Sequence, residues 1–131
     1  MLTHNTVDEN ILREYSPLVL AYIGDAVFEL AVRTRIAGNG PRRIRDIHHD
    51  AVAVVNADSQ ADIIRQLSTE LSDAELDIVR RGRNTRSHPP KNADVQSYRM
   101  STGFEALLGY LYLKGDDVRL NYLLQRALQE I

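Results

Sequence analysis

The chain has 131 residues, 44% hydrophobic and 26% charged, the length and balance of a single folded domain, which excludes disorder as its main state. It has no cysteine, so disulfides and thiolate metal centres are excluded and a reducing compartment is suited. The net charge of −2 hides a segregation: ten of the 16 basic residues lie in the windows 33–45 and 80–91, which hold no acid, leaving six against 18 acidic residues elsewhere.

The N-terminus, MLTHNTVDENILREYS, is polar and acidic where a signal peptide needs a basic start and an apolar core. No stretch approaches the roughly 20 uninterrupted apolar residues of a membrane span, so the expected location is cytoplasmic, with no membrane partner. Residues 1–15 read as an N-terminal extension and 16–131 as one domain. Periodicity near 3.6 dominates and no alternating strand stands out, which predicts an all-α fold. Ser16-Pro17 starts the first strong helix, which ends near Gly38. A second helical region spans about 44–67, with a bend expected at Asn56 to Ser59. Ser72-Asp73-Ala74-Glu75 is a capping box for a third helix that ends near Arg81-Gly82. The loop RNTRSHPPKN follows, its prolines forbidding continuation. Asn92 is the expected cap of a helix over 93–114, interrupted around Ser101-Thr102-Gly103. Gly115-Asp116 ends it and caps a last helix from Asp117 to about Glu130.

Two of these helices carry one unexpected acid each. In LAYIGDAVFEL (20–30) Asp25 sits mid-helix, and in MSTGFEALLGYLYL (100–113) Glu105 is the sole charge. Glycine adjoins both sites, Gly24 beside Asp25 and Gly109 one turn past Glu105. Glycine inside a helix costs roughly 1 kcal/mol relative to alanine, so its use in both helices points to a close crossing. Two carboxylates facing each other there need compensation by an arginine, a shared proton or a divalent cation. With oxygen ligands alone, magnesium or manganese is favoured over zinc. The competing reading bonds the two acids to hydroxyls such as Thr102, Tyr22 or Tyr98. Glu29 lies four residues before Arg33, the favourable orientation for a helical ion pair, and is left out of the site. The first helix is apolar nearly all round, more than a chain of this size can bury alone, and a twofold dimer would cover the second face.

The basic windows suit a polyanion surface, or else arginines that pair with the surplus acids. No Ser-His-Asp or cysteine nucleophile competes with the carboxylate pair. His48 and His49 point about 100° apart on a helix, so at most one faces any site.

LAYIGDAVFEL resembles the signature helix of ribonuclease III catalytic domains, and FEALLGYLYL their second acidic helix. With RRGRN, PPKNADVQSYR and STGFEALLGYLYL the resemblance covers about residues 16–128 and is closest to Mini-III, the short form without a separate double-stranded RNA-binding domain. It implies an all-α helical bundle of the ribonuclease III type in residues 16–131, a homodimer, and Mg2+-dependent hydrolysis of double-stranded RNA, with Mn2+ able to substitute. Asp25 and Glu105 become the catalytic and metal-ligating pair, and the products carry 5′-phosphate and 3′-hydroxyl ends. The implied substrate is precursor large-subunit (23S) ribosomal RNA, with a ribosomal protein as a further partner. Two acidic positions of the wider family pattern are Ala21 and Thr102 here. Asp94 and Thr102 form a second tier; on an unbroken helix Asp94 lies about 16 Å from Glu105, so it joins the pair only if the chain bends near Gly103.

RRGRNTRSHPPKN supplies the candidate RNA contacts: Arg80, Arg81, Arg83, Asn84, Arg86, His88 and Lys91, with arginines for bidentate phosphate bonds and prolines that limit loop entropy. With two Phe, six Tyr and no Trp, stacking platforms for single strands are scarce, so a duplex is favoured. Two other functions fit less of the sequence. One is a non-catalytic RNA-binding member of the same fold, in ribosome assembly; the other is a helical adaptor that binds protein through the first helix.

Overall fold

In the computed structural model, which describes residues 4–85 and 88–131, the segments that carry Asp25 and Glu105 become the central helices. The elements in chain order are α1 (Glu9–Leu12), α2 (Pro17–Ala37), α3 (Ile44–Val54), α4 (Ala57–Leu67), a 3-10 turn (Ser68–Glu70), α5 (Asp73–Asn84), α6 (Val95–Lys114) and α7 (Asp117–Ala127). No strand occurs among the described residues, so the all-α expectation holds.

Helices α2 and α6 cross with their backbones in contact. A Cβ placed on Gly24 would lie 1.7 Å from the Glu105 carbonyl oxygen, and one on Gly109 would lie 1.9 Å from that of Leu20. Only glycine fits either position. A second close approach joins α5 to α6, where a Cβ on Gly103 would meet the Val79 carbonyl oxygen at 2.6 Å. Around these crossings Phe28 and Phe104 meet edge to face, 5.3 Å between ring centroids. Leu20, Val27 and Val32 of α2, Ile64 of α4, Leu107, Leu108 and Leu111 of α6, and Leu120 and Leu123 of α7 complete a core that excludes water.

Local chemistry sets the helix ends. The Ser16 hydroxyl accepts from the Leu18 N–H ahead of Pro17, and the capping box of Ser72 and Glu75 forms in both directions. At the expected bend the chain breaks in two, because the Asn56 side chain accepts from Ser59 N–H and donates to the Val52 and Ala53 carbonyls. Several expected boundaries move, among them the end of the last helix, which stops at Ala127 rather than near Glu130. Helix α5 runs on to Asn84, because Gly82 is buried against Gly103 and is a packing position, not a stop. The cap of α6 is Asp94, which accepts from the Gln96 N–H and the Ser97 hydroxyl, while Asn92 takes the left-handed conformation at φ 70°. And α6 is unbroken through residues 101–103: the Ser101 and Thr102 hydroxyls both donate to the Tyr98 carbonyl and leave the helical ladder intact.

The segment before Ser16 lies on α6. Leu12 is buried in the core, the Val7 N–H donates to the Leu113 carbonyl at 2.8 Å, and the Tyr110 hydroxyl donates to the Glu9 carboxylate. Arg119 of α7 ties α7 to α5 through a two-pronged bond to buried Glu75, at 2.7 and 2.8 Å, and also reaches the Glu70 carbonyl. One face of α2 is left uncovered: Leu18, Val19, Tyr22 and Leu30 are exposed, Tyr22 to 78%. No helix among the described residues is long and apolar enough to cross a membrane.

Candidate active site

Asp25 lies on the exposed side of α2, and Glu105, half-buried on α6, turns toward it across the glycine crossing. The two carboxyl groups are within hydrogen-bonding reach. Burial pushes the Glu105 carboxyl up to about 8, and the bond to Asp25 and its charge add to the rise. Below that pH Glu105 keeps its proton. The amide nitrogen of Gln60, itself 4% exposed on α4, stands 3.5 Å from Oε2 of Glu105 and partly opposes the rise.

Of the compensations open to this pair, the arginine is absent. Neither Asp25 nor Glu105 has a basic partner within 4 Å among the described residues. Glu29 is spent on Arg33 at 2.7 Å, as its spacing predicts. Hydroxyl bonding does not serve either: among the described residues the Thr102 hydroxyl goes to the Tyr98 carbonyl, and neither the Tyr22 nor the Tyr98 hydroxyl bonds either acid. A shared proton and a divalent cation are what remain. Among the described residues no three His, Cys, Asp or Glu side chains gather as a metal cluster, so a cation here would have two carboxylates and the Gln60 amide for neighbours, with water filling the rest.

The structure brings Asp25 and Glu105 together and keeps the second tier apart from them. Thr102 is 5% exposed with its hydroxyl turned into its own helix. Ala21 is equally buried, one turn before Asp25. Asp94 caps the far end of a continuous α6, about 16 Å along the axis from Glu105. Gln60 was not among the sequence candidates, although a signal existed. It occupies a position on the stripe Gln60, Ile64, Leu67 where the period calls for an apolar residue.

The two basic windows come apart in character. In 33–45, Arg33 pairs with Glu29, Arg42 with Asp50 at 2.7 Å, and Arg35 donates to the Ile131 carbonyl, so most of that charge is spent inside the fold. In 80–91, Arg80 pairs with Asp77 on its own helix and Arg81 is half-buried, but Arg83, Asn84, His88 and Lys91 are exposed. Arg86 lies outside the described residues. Arg83 and Asn84 share a cleft with two arginines that the sequence reading passed over, Arg65 and Arg99.

Comparison with known proteins places this geometry. The family model described as the ribonuclease III domain matches residues 18–116, which include both acids and both glycines of the crossing. The chain belongs to the ribonuclease III family. Among its relatives in that family are two named Mini-ribonuclease 3. The one from Thermoanaerobacter sp. is 49% identical over 117 residues, covering 88% of this chain and 82% of the relative, and the one from Symbiobacterium thermophilum is 50% identical over 112 residues, covering 85% and 86%. A solved structure of a Fusobacterium nucleatum protein superposes with a TM-score of 0.83 at 28% identity, over 93% of this chain and 98% of that one. The Mini-III resemblance seen in the sequence and the ribonuclease III fold are therefore both borne out.

Proposed function

We propose that this protein is an endoribonuclease that hydrolyses phosphodiester bonds in double-stranded RNA, with Mg2+, or Mn2+ in its place, held by Asp25 and Glu105. One observation carries the reading: two carboxyl groups in mutual contact, one of them half-buried, with no basic partner among the described residues, in a chain of the ribonuclease III family. Paired oxygen donors beside an amide suit a hard divalent cation that keeps several waters. Bound there, such a cation would polarise the scissile phosphate and lower the pKa of a water.

The chain's own residues do the rest. Gln60 leans on the outer oxygen of Glu105 and keeps that carboxylate turned to Asp25. The glycine crossing fixes the two acids through main-chain contact, so neither needs to reorganise when a substrate arrives. Arg83, Asn84, His88 and Lys91, with Arg80, Arg81 and Arg86, contact the sugar-phosphate backbone. A duplex is favoured over a single strand because Phe28 and Phe104 are in the core and exposed Tyr22 lies on the face of α2 assigned to a second copy. The products carry 5′-phosphate and 3′-hydroxyl ends, and the cellular substrate is the precursor of large-subunit (23S) ribosomal RNA, with a ribosomal protein assisting. A second copy of the chain covers the exposed face of α2, giving a homodimer with one acidic pair for each strand.

The test incubates wild type and Asp25→Asn with a long RNA duplex, in magnesium or in chelator, and reads the products on a denaturing gel. Cleavage by wild type in magnesium alone is the expected result. Intact RNA in every lane, with binding retained, replaces the enzyme by a non-catalytic RNA-binding factor of the same fold.

A further inference from the structure

Three arginines from three helices converge on one cleft. Arg65 of α4, Arg83 of α5 and Arg99 of α6 line it together with Asn84, Gln96 and Met100, and its volume is about 440 Å3. All three arginines are exposed. Arg65 has only a loose contact with Asp62 at 3.4 Å, Arg83 leans on the Asn84 amide oxygen at 3.4 Å, and Arg99 has no carboxylate partner within 4 Å among the described residues. The cleft thus gathers three positive charges against one acid, an arrangement that repels itself until an anion enters. Among the described residues Met100 is the sole apolar side chain in the lining and no aromatic ring is present, so a base or other flat ring has nothing to stack on there. Guanidinium forks suit the non-bridging oxygens of a phosphate.

The position of the cleft links it to the acidic pair. Gln60 of α4 meets Glu105 of α6, while Arg65, further along α4, shares the cleft with Arg99 and Met100, which precede Glu105 on α6. The helices therefore run antiparallel, and both steps lead the same way along the groove between them. By helical rise, the step from Gln60 to Arg65 is about 8 Å and that from Glu105 to Arg99 about 9 Å. A strand of B-form DNA carries one phosphate for roughly every 3.4 Å of duplex axis and the A-form of RNA is more compressed, so such a step corresponds to about two or three nucleotides along the duplex axis.

We propose that Arg65, Arg83 and Arg99 form a cradle for a single RNA phosphodiester two or three nucleotides from the scissile bond, which sets the register of the duplex on Asp25 and Glu105. This rests on the endoribonuclease reading above and adds to it a discrete phosphate site with two arginines from outside the basic loop.

The test uses the full chain with Arg65→Gln, Arg99→Gln, the double variant and Arg99→Lys, and Arg126→Gln on α7 as a control of equal charge change. Binding to a long RNA duplex is measured in chelator over a range of KCl concentrations, and cleavage in magnesium. Arg65→Gln and Arg99→Gln are each expected to bind about tenfold more weakly, the loss of one charge-assisted bond, and Arg126→Gln to bind as wild type. The slope of log affinity against log salt should fall by about one phosphate for each arginine removed. KM should rise with kcat within about twofold of wild type, and thermal melting should be unchanged because the side chains are exposed. Arg99→Lys should keep the salt slope and lose part of the affinity, having the charge without the fork. Wild-type affinity and slope in the double variant, in a protein that still cleaves duplex RNA, would overturn the cradle and leave the nuclease standing, as would an equal loss in Arg126→Gln. A wild type that neither binds nor cleaves the duplex overturns both.

Discussion

Replacing Glu105 by glutamine is expected to stabilise the metal-free protein, and to do so only where the pH is high enough. An unfolded chain releases the Glu105 proton near its ordinary value of 4.5, whereas the folded site holds it up to about 8. Between those values the native state binds more protons than the unfolded state, so wild-type stability falls as pH rises and levels off above about 8. Each pH unit in the window is worth about 1.4 kcal/mol, which puts the ceiling at about 5 kcal/mol. Solvent access at a half-buried carboxyl brings the expectation to roughly 2 to 3 kcal/mol. Glutamine cannot ionise, so its advantage over wild type should grow from pH 5 to pH 8 and then stay constant. Urea unfolding in chelator at several pH values and one protein concentration measures this directly. An advantage independent of pH would refute the argument, because a packing change has no reason to follow the titration of one carboxyl. Added magnesium gives a second arm: it should raise the midpoint of wild type by mass action and leave Glu105→Gln where it was.

Gly24→Ala should be among the most damaging single-methyl additions, at least about 3 kcal/mol by denaturant unfolding, since the new Cβ would fall 1.7 Å from a main-chain oxygen. Glu75→Gln should cost about 3 kcal/mol, because it leaves Arg119 half-buried without its carboxylate partner. The Arg119 bond holds the Glu75 carboxyl below its ordinary 4.5, so the stability it contributes is present above that pH and is lost on acidification through the lowered value; Glu75→Gln should flatten the acid limb of the stability profile. Tyr22→Glu, on the uncovered face of α2, should leave the fold intact and abolish the self-association proposed for that face, as read by sedimentation velocity.

Much of this fold could be read from local signals because its boundaries rest on local chemistry. Ser16-Pro17, Ser72 with Glu75, and Gly115-Asp116 each satisfy backbone groups within a few residues, and all three operate as their sequence suggests. Asp25 and Glu105 were legible for a different reason, as acids without a helical ion-pair partner in apolar helices beside glycines that have no role in a helix interior. What the sequence concealed depends on partners distant in the chain. Ser101-Thr102-Gly103 has the composition of a break, yet Gly103 faces Val79 of another helix and the hydroxyls turn back to Tyr98. Gln60 is an ordinary polar residue until α4 lies on α6 and presents it to Glu105. The arginines of 33–45 and of 80–91 look alike in composition, but only a fold shows that Arg42 meets Asp50 and Arg35 meets Ile131, whereas Arg83 meets Arg65 and Arg99.

The crossing of α2 and α6 also governs where this protein can tolerate change. Main-chain atoms at Gly24 and Gly109, not interlocking side chains, set the gap between the two acids. Truncation of Leu123, buried on α7, would weaken the domain without altering the main-chain contacts that set that gap. Robustness and vulnerability are therefore separated in space: a population of variants selected for activity should drift freely through the hydrophobic interior within its stability margin, and stay invariant at two positions that have no side chain at all.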